Sequence, residues 1–329
     1  MADGWIEAVQ EAVASREPLS IRGHGSKTRL FGPPAQGLVI DTTQWRGIVS
    51  HQPAELVVTV RTGTPLAELE ATLAEQGQQL AFDPPQLGGK GTVGGAVAAG
   101  LSGPSRPWSG ACRDALLGVK LINGEGQLLT FGGQVLKNVA GYDVSRLQCG
   151  ALGQLGILSE VSLRVTPKPV ADQSFNKTMS AADALQLMRQ WCRLPLPLAG
   201  LCYLDGKLWW RLSGHAEAVN DARSKLGGEP VGDEFWCALR DMQLPYFEAQ
   251  DLWRLFVAPA TQVEAHHEVI DWAGALRWSN AGYASKGGVP VGTAPTASGP
   301  LKQISQRLKT AFDPHSLFNT GARLANPTA

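Results

Sequence analysis

The sequence has no excess of either charge. Its 29 Lys and Arg residues are matched by 29 Asp and Glu over 329 residues, so no global field draws the chain to nucleic acid or to an anionic membrane. Cysteine is scarce: Cys112, Cys149, Cys192, Cys202 and Cys237 are five in number and form no C-x-x-C pair. That spacing excludes a cysteine-built zinc or iron–sulfur site and reads as buried thiols in a reducing compartment. No apolar run reaches the roughly 20 residues that cross a bilayer, and Asp3 and Glu7 stand where a signal peptide carries base. The absences together predict a cytoplasmic protein with no membrane span, no nucleic-acid partner and no metal. A hydrophobic content of 43% with 18% charge, over this length, allows two ordinary domains with real cores.

Glycine is plentiful and unevenly placed, with 17 of the 38 falling between Gly88 and Gly156. A residue without Cβ can take positive φ and turn its N–H group inward, and converging N–H groups make an anion site. The clusters are Arg22-Gly23-His24-Gly25-Ser26-Lys27-Thr28, then Gly88 to Gly95, then Gly150 to Gly156. The first is not a Walker A loop, because Ser26 separates Gly25 from Lys27. Gly89 to Gly94 satisfies G-x-G-x-x-G, but that fingerprint needs a strand running into its first glycine, and Pro84-Pro85 precedes it instead. A nicotinamide Rossmann fold is therefore not expected.

Around these loops the hydrophobic pattern predicts an N-terminal helix with Trp5, Ile6, Val9 and Val13 on one face, and a strand over Leu56–Val60. A helix follows, capped by Thr64, with Leu66, Leu69 and Leu73 as its stripe. Leu116–Ile122 and Gln127–Phe131 read as a hairpin, and Ile157–Val165 as a further strand. Pro167 and Pro169 mark a boundary, beyond which strand, helix (181–191), strand (198–204), strand (207–212), helix (216–226) and strand (252–257) resemble a βαββαβ unit. The segment 285–300 reads as a loop returning the chain to the first domain, ending in a helix whose stripe Leu301, Ile304, Leu308 and Phe312 needs a core. The expected division is 1–169, 170–290 and 291–329.

The ordered set Arg22 to Ser26, Asp83-Pro84, Gly91-Thr92-Val93-Gly94-Gly95, Arg113-Asp114 and Gly150 to Ile157 resembles the FAD domain of the vanillyl-alcohol oxidase and p-cresol methylhydroxylase (PCMH-type) family. Lys137 to Asp143 and Phe312 to Asn319 bring it nearest the type found in the FAD-binding subunits of bacterial glycolate oxidases. The resemblance implies an α+β fold: a two-part PCMH-type FAD-binding domain with a smaller ferredoxin-like α+β cap. It implies FAD held by Arg22, Gly23, His24, Gly25, Ser26, Lys27, Pro84, Lys90, Gly91, Thr92, Val93, Gly94, Gly95, Gly103, Gly150, Gly153, Gly156 and Ile157. In such domains the first two loops approach the diphosphate from two sides, so a side chain added at Gly94 should cost the cofactor and spare the fold. Arg22, Lys27 and Lys90 either add charge there or stay solvated beside the loops. Relatives that bind flavin covalently use a histidine at the position of Ser26 or a cysteine at that of Lys90, so noncovalent FAD is expected.

Catalytic residues are not identified. The H-x-x-H-G-E spacing of relatives that oxidise 2-hydroxy acids is absent, and the neighbours His266 and His267 point about 100° apart on a helix. Tyr142, Asp143 and Arg146 suggest a flavin face, though Asp143 is equally placed to cap a helix beginning at Val144. The six tryptophans Trp209, Trp210, Trp236, Trp253, Trp272 and Trp278 read as cap core or interface packing. The resemblance implies a subunit oxidising glycolate to glyoxylate, with a larger FAD-binding subunit and an iron–sulfur subunit passing electrons to the respiratory chain. Such a complex would sit in the cytoplasm, peripheral to the inner membrane. The alternatives are a stand-alone FAD-dependent 2-hydroxy-acid dehydrogenase and a mainly structural subunit that has kept the fold.

Overall fold

The computed structural model describes residues 2–33, 35–133, 143–263, 269–280, 288–293 and 299–319. The sequence readings that fall on Lys137 to Tyr142 and on His266 and His267 lie outside them. Contact density divides the chain into one unit of Met1–Leu101, Ala111–Pro167 and Gly292–Ala329, and a second of Ser102–Gly110 and Lys168–Val291.

In the first unit the helix Ala2–Ser15 buries Trp5, Val9 and Ala12, the face its periodicity foretells. Strand β1 (Leu19–Arg22) pairs in parallel with β2 (Leu38–Asp41). A larger sheet follows from β3 (Ile48–Gln52), β4 (Val57–Arg61), β5 (Gln78–Leu80), β6 (Leu116–Ile122), β7 (Leu128–Gly132) and β8 (Ile157–Pro167). Its order is β3-β4-β8-β6-β7, with β5 also on β8. The central β8 is buried on both faces: Leu158, Val161 and Val165 join the core under the helix Leu66–Glu75, while Ile157 meets Trp5, Val9 and Leu19 on the other side. Thr64 does not cap that helix. Its hydroxyl accepts the Gly47 N–H at 2.8 Å, and Pro65 takes the cap position without a side-chain bond.

The second unit carries one antiparallel sheet. Its strands are β9 (Ala171–Thr178), β10 (Leu198–Leu204), β11 (Lys207–Gly214), β12 (Glu229–Val231), β13 (Trp253–Phe256), β14 (Val269–Asp271), β15 (Leu276–Ser279) and β16 (Val289–Pro290). The order β12-β9-β11-β10-β14-β15-β13-β16 contains the expected βαββαβ arrangement in its first four strands, with helices Ala181–Trp191 and Ala216–Leu226 as the crossovers. Its fourth strand is Glu229-Pro230-Val231, not the segment near 252–257, which belongs to the other half of the sheet. Three residues with one proline and one acid carry no strand pattern, so only pairing to β9 reveals them. Trp210, Trp236 and Trp278 are buried core, with Trp210 stacked on Phe175 at 5.8 Å. Cys112, Cys149 and Cys202 are buried as read, whereas Cys192 and Cys237 are exposed.

The terminal helix spans Gly299–Phe312. Only part of its stripe finds cover. Phe312 meets Phe131 edge-on at 6.1 Å, while Leu301 and Ile304 are exposed. What fixes the chain end is polar: the fully buried Asp313 carboxylate accepts the N–H groups of Leu317 (2.9 Å) and Phe318 (2.8 Å) and pairs with Lys309. Lys309 also donates to the carbonyls of Gln154 (2.8 Å) and Phe318 (2.9 Å). The turn so held seats Leu317 and Phe318 in the core beside Leu19. Asp313→Ala leaves two backbone donors without their acceptor and the half-buried Lys309 ammonium without its counter-charge. It should cost about 3–5 kcal/mol in urea unfolding, while His315→Ala on the exposed side of the same turn should cost nothing measurable.

Candidate functional site: a glycine-walled cationic cavity

Strand β1 delivers the first glycine loop, and its end is tied down on two sides. The Arg22 carbonyl accepts both the N–H (2.9 Å) and the hydroxyl (3.0 Å) of Thr42. On the other side the Ile21 N–H donates to Asn319 Oδ1 at 2.8 Å, and Asn319 Nδ2 donates to the Leu152 carbonyl at 2.7 Å. Asn319 thus joins the first loop to the third. The second loop opens the helix Val93–Ala99, and the third hangs from that helix through Gly150 N–H to Val97 O (3.0 Å) and Leu152 N–H to Ala98 O (2.9 Å). His24 Nδ1 meets the Lys90 carbonyl at 3.1 Å, and a Cβ on Gly23 would lie 2.7 Å from the Thr92 hydroxyl. No side chain would fit at Gly23 against the second loop.

The three loops enclose a cavity of about 450 Å³, within the first unit. Of the residues expected at the cofactor, Arg22, Gly23, His24, Gly25, Ser26, Lys27, Thr92, Gly94, Gly95, Gly153 and Gly156 line it. The others stand off the wall. Pro84, Val93 and Ile157 are buried packing residues, and Lys90 is exposed with its carbonyl on His24. The Gly91 N–H is spent on the Gln86 carbonyl, Gly150 is spent on Val97, and Gly103 lies in the second unit with its carbonyl on the Trp272 indole. Thr42, Thr62, Ala98, Leu152, Leu158 and Asn319 are among the further wall residues that were not expected as cofactor contacts. Asn319 had a signal, as the last residue of the Phe312 to Asn319 motif. The threonines had none, because only the fold brings them here.

The loops differ in what they do with their backbone donors. In the second, Val93 N–H goes to Thr64 O, Gly94 N–H to Thr62 O and Gly95 N–H to the Thr92 hydroxyl, at 2.9, 2.8 and 3.1 Å. In the first, the N–H groups of Gly23, His24, Gly25, Ser26 and Lys27 donate to no acceptor among the described residues. Lys27 belongs with them. Its half-buried ammonium has no partner among the described residues, lies 3.6 Å from where a Cβ on Gly95 would stand, and is pulled down to about 8 by burial. Among the described residues no acidic side chain lines the cavity. An array of unspent N–H donors, a cation and no counter-charge is suited to a dianionic diphosphate.

The geometry also corrects the expectation for Gly94. A Cβ there would lie 2.6 Å from Thr62 Cβ and 2.9 Å from its carbonyl oxygen, so a side chain at this position conflicts with β4's continuation even without a ligand, and the fold is not spared. Gly94→Val should therefore lose roughly 1–3 kcal/mol of stability from overpacking, read as a lowered Tm in the absence of any cofactor. Lys27 gives a pH test. An anion in the cavity favours the charged ammonium, so FAD affinity should be flat below pH about 8 and fall above it as the free protein's Lys27 loses its proton. The limiting slope is about tenfold per pH unit. Lys27→Met should bind more weakly at pH 7 and show no such fall in fluorescence titrations.

Residues 2–132 match a family described as FAD binding domain. Over 339 aligned positions the chain is 43% identical to the glycolate oxidase subunit GlcE of Escherichia coli (strain K12), covering 97% of this chain and 96% of that one. It is also 30% identical to the glycolate oxidase subunit GlcD of Bacillus subtilis (strain 168) over 52% of this chain, a match spanning 37% of GlcD. A solved alkyldihydroxyacetonephosphate synthase superposes with a TM-score of 0.68 over 95% of this chain and 73% of its own, at 17% identity, and so shares the fold. With near-complete coverage at this identity, the chain belongs to the family of glycolate oxidase subunits that GlcE represents, an α+β flavoprotein family built on an FAD-binding domain.

Proposed function

We propose that this chain is the FAD-binding subunit of a multi-subunit glycolate oxidase, acting with a larger FAD-binding subunit and an iron–sulfur subunit to convert glycolate to glyoxylate and pass electrons to a respiratory chain. The observation that carries the FAD assignment is the set of N–H groups from Gly23 to Lys27, unspent among the described residues, beside a cavity whose Lys27 ammonium has no partner among them. These residues fit a diphosphate: the backbone of Gly23 to Ser26 would hold its oxygens and Lys27 would balance its charge. Gly153 and Gly156, both at positive φ, keep the opposite wall free of side chains. Bound there, FAD supplies the hydride-accepting and electron-carrying chemistry. Ser26 offers no imidazole for attachment, so the flavin is held without a covalent bond.

The chain contributes binding and orientation more evidently than acid–base chemistry. Removing hydride from a 2-hydroxy acid needs a base at the hydroxyl and a cation at the carboxylate, placed together. Among the described residues His24 is the only imidazole on the cavity wall, and its Nδ1 is engaged by the Lys90 carbonyl. The described residues contain no cluster of three or more His, Cys, Asp or Glu that could hold a metal. The larger subunit is accordingly assigned the turnover of glycolate. No helix among the described residues is long and apolar enough to cross a membrane, so membrane contact is assigned to the complex.

Acid precipitation of the purified chain should release about one FAD per chain into the supernatant, and glycolate should not bleach it when the chain is alone. Dye reduction by glycolate should appear on co-expression with the larger and iron–sulfur subunits, and all three should co-purify. A flavin retained in the acid pellet would overturn the noncovalent assignment. A colourless chain that takes up no FAD would favour the structural alternative, and rapid bleaching by glycolate without partners would make the chain a complete dehydrogenase.

A further inference from the structure

Besides β2, strand β1 has a second parallel neighbour, the turn that ends the described chain. Leu19 bridges Phe318: the Leu19 N–H donates to the Leu317 carbonyl at 2.8 Å, and the Asn319 N–H donates to the Leu19 carbonyl at 2.9 Å. In a parallel ladder the next donor, the Ile21 N–H, would meet the backbone carbonyl of Asn319. It meets the side chain instead, Oδ1 at 2.8 Å. Asn319 stands at φ 43°, which turns the chain off the strand direction, and its amide oxygen replaces the carbonyl that the turn removes. Asparagine suits this place because it tolerates the left-handed region and carries an acceptor on a short side chain.

The same amide reaches the third glycine loop. Nδ2 donates to the Leu152 carbonyl at 2.7 Å, and the two bonds fix the amide's orientation because one partner is a donor and the other an acceptor. Leu152 is itself left-handed, at φ 52°, with its N–H on the Ala98 carbonyl at 2.9 Å. A residue with a side chain keeps that conformation only where its surroundings over-determine it. Packing at the contact leaves no slack, since a Cβ on Gly153 would lie 2.6 Å from Nδ2. Asn319 is buried on the cavity wall, yet its Oδ1, Nδ2 and backbone N–H are each bonded to main chain. Ile21 stands two residues before Gly23, where the unspent donors begin, and Leu152 stands one residue before Gly153.

We infer that Asn319 is a positioning residue for the cofactor, and that docking of the terminal turn and occupancy of the cavity are linked through it. The inference rests on the proposed FAD reading of the cavity. A diphosphate held by the donors of Gly23 to Lys27 against the Gly153 wall needs those two loops at one separation, and loops already set there bind without the cost of ordering them. The linkage is reciprocal: a docked turn raises affinity for the diphosphate, and a bound diphosphate keeps the turn docked. Displacing residues 317–319 from β1 therefore weakens the hold on the cofactor without touching any group that contacts it.

Two measurements on the full chain test this. Hydrogen exchange of the Leu317, Phe318 and Asn319 amides is followed with and without saturating FAD or ADP, which share the diphosphate. Slower exchange is expected with either ligand, while the helix Ala181–Trp191 of the second unit, the internal control, stays unchanged. FAD and ADP are also titrated into wild type and Asn319→Ala, with circular dichroism to establish folding. The variant should bind both roughly tenfold or more weakly, from the loss of two hydrogen bonds at the loops. Saturating ligand should no longer slow exchange in its terminal turn, a coupling that a purely structural role would leave in place. Should the variant not fold, the wild-type exchange still decides. Turn exchange that FAD leaves unchanged, exchange slowed equally in turn and control helix, or equal affinity in a folded variant would overturn the inference and leave the FAD reading standing. A wild-type chain that takes up neither FAD nor ADP would end both.

Discussion

The buried carboxylate of Asp313 holds the two ends of the chain together, and the cofactor cavity depends on that closure. It accepts two backbone N–H groups of the turn that follows the terminal helix and keeps the Lys309 ammonium beside it, which in turn secures the carbonyls of Gln154 and Phe318. That arrangement seats Phe318 against Leu19 and brings Asn319 to the point where β1 enters the first glycine loop. A hydrophobic contact alone would allow the chain end to slide. A carboxylate with fixed donors sets its register, and through Asn319 sets the separation of the first loop from Leu152 in the third.

The glycines divide into two physical roles that look alike in a sequence. In the second loop they let the helix Val93–Ala99 approach β4 and the strand end at Thr62, and their N–H groups are consumed in making that approach. In the first loop they leave N–H groups unspent, and Gly25, at φ 68°, has open space where its Cβ would be. The former set builds the wall, and the latter offers donors to a ligand. Burial of Lys27 beside them, without a counter-charge among the described residues, lowers its proton affinity and makes an anion stabilising there.

The second unit shows the same economy in another form. Its tryptophans are mostly core, as the frequency of large aromatics suggests, with Trp210 and Trp236 filling the space under its helices. Trp272 is different: half-buried, in a left-handed conformation and covered by Arg106. What distinguishes it from Trp278 six positions later is its place in the chain: Trp272 opens the short 3-10 turn Trp272–Gly274 after β14, while Trp278 lies within β15.

The local pattern by itself determined the elements whose signal is periodic or chemical over a few residues. The helix under Trp5 and Val9, the hairpin of β6 and β7, the crossovers of the second unit and the Asp143 cap, whose side chain accepts the Arg146 N–H, all follow from spacing and residue type. The glycine clusters and the resemblance they carry were enough to name the cofactor class. Tertiary structure decided the rest, because it depends on partners distant in the chain. Glu229-Pro230-Val231 is a strand only because β9 offers it an edge, and Thr64 is no cap because Gly47 claims its hydroxyl. Leu301 and Ile304 form an apolar stripe that finds no cover among the described residues of this chain, where periodicity could foretell only that one was needed. Which glycine loop keeps its donors for a ligand was settled by whether Thr62 and Thr64 lay within hydrogen-bond reach, a distance that no sequence spacing encodes.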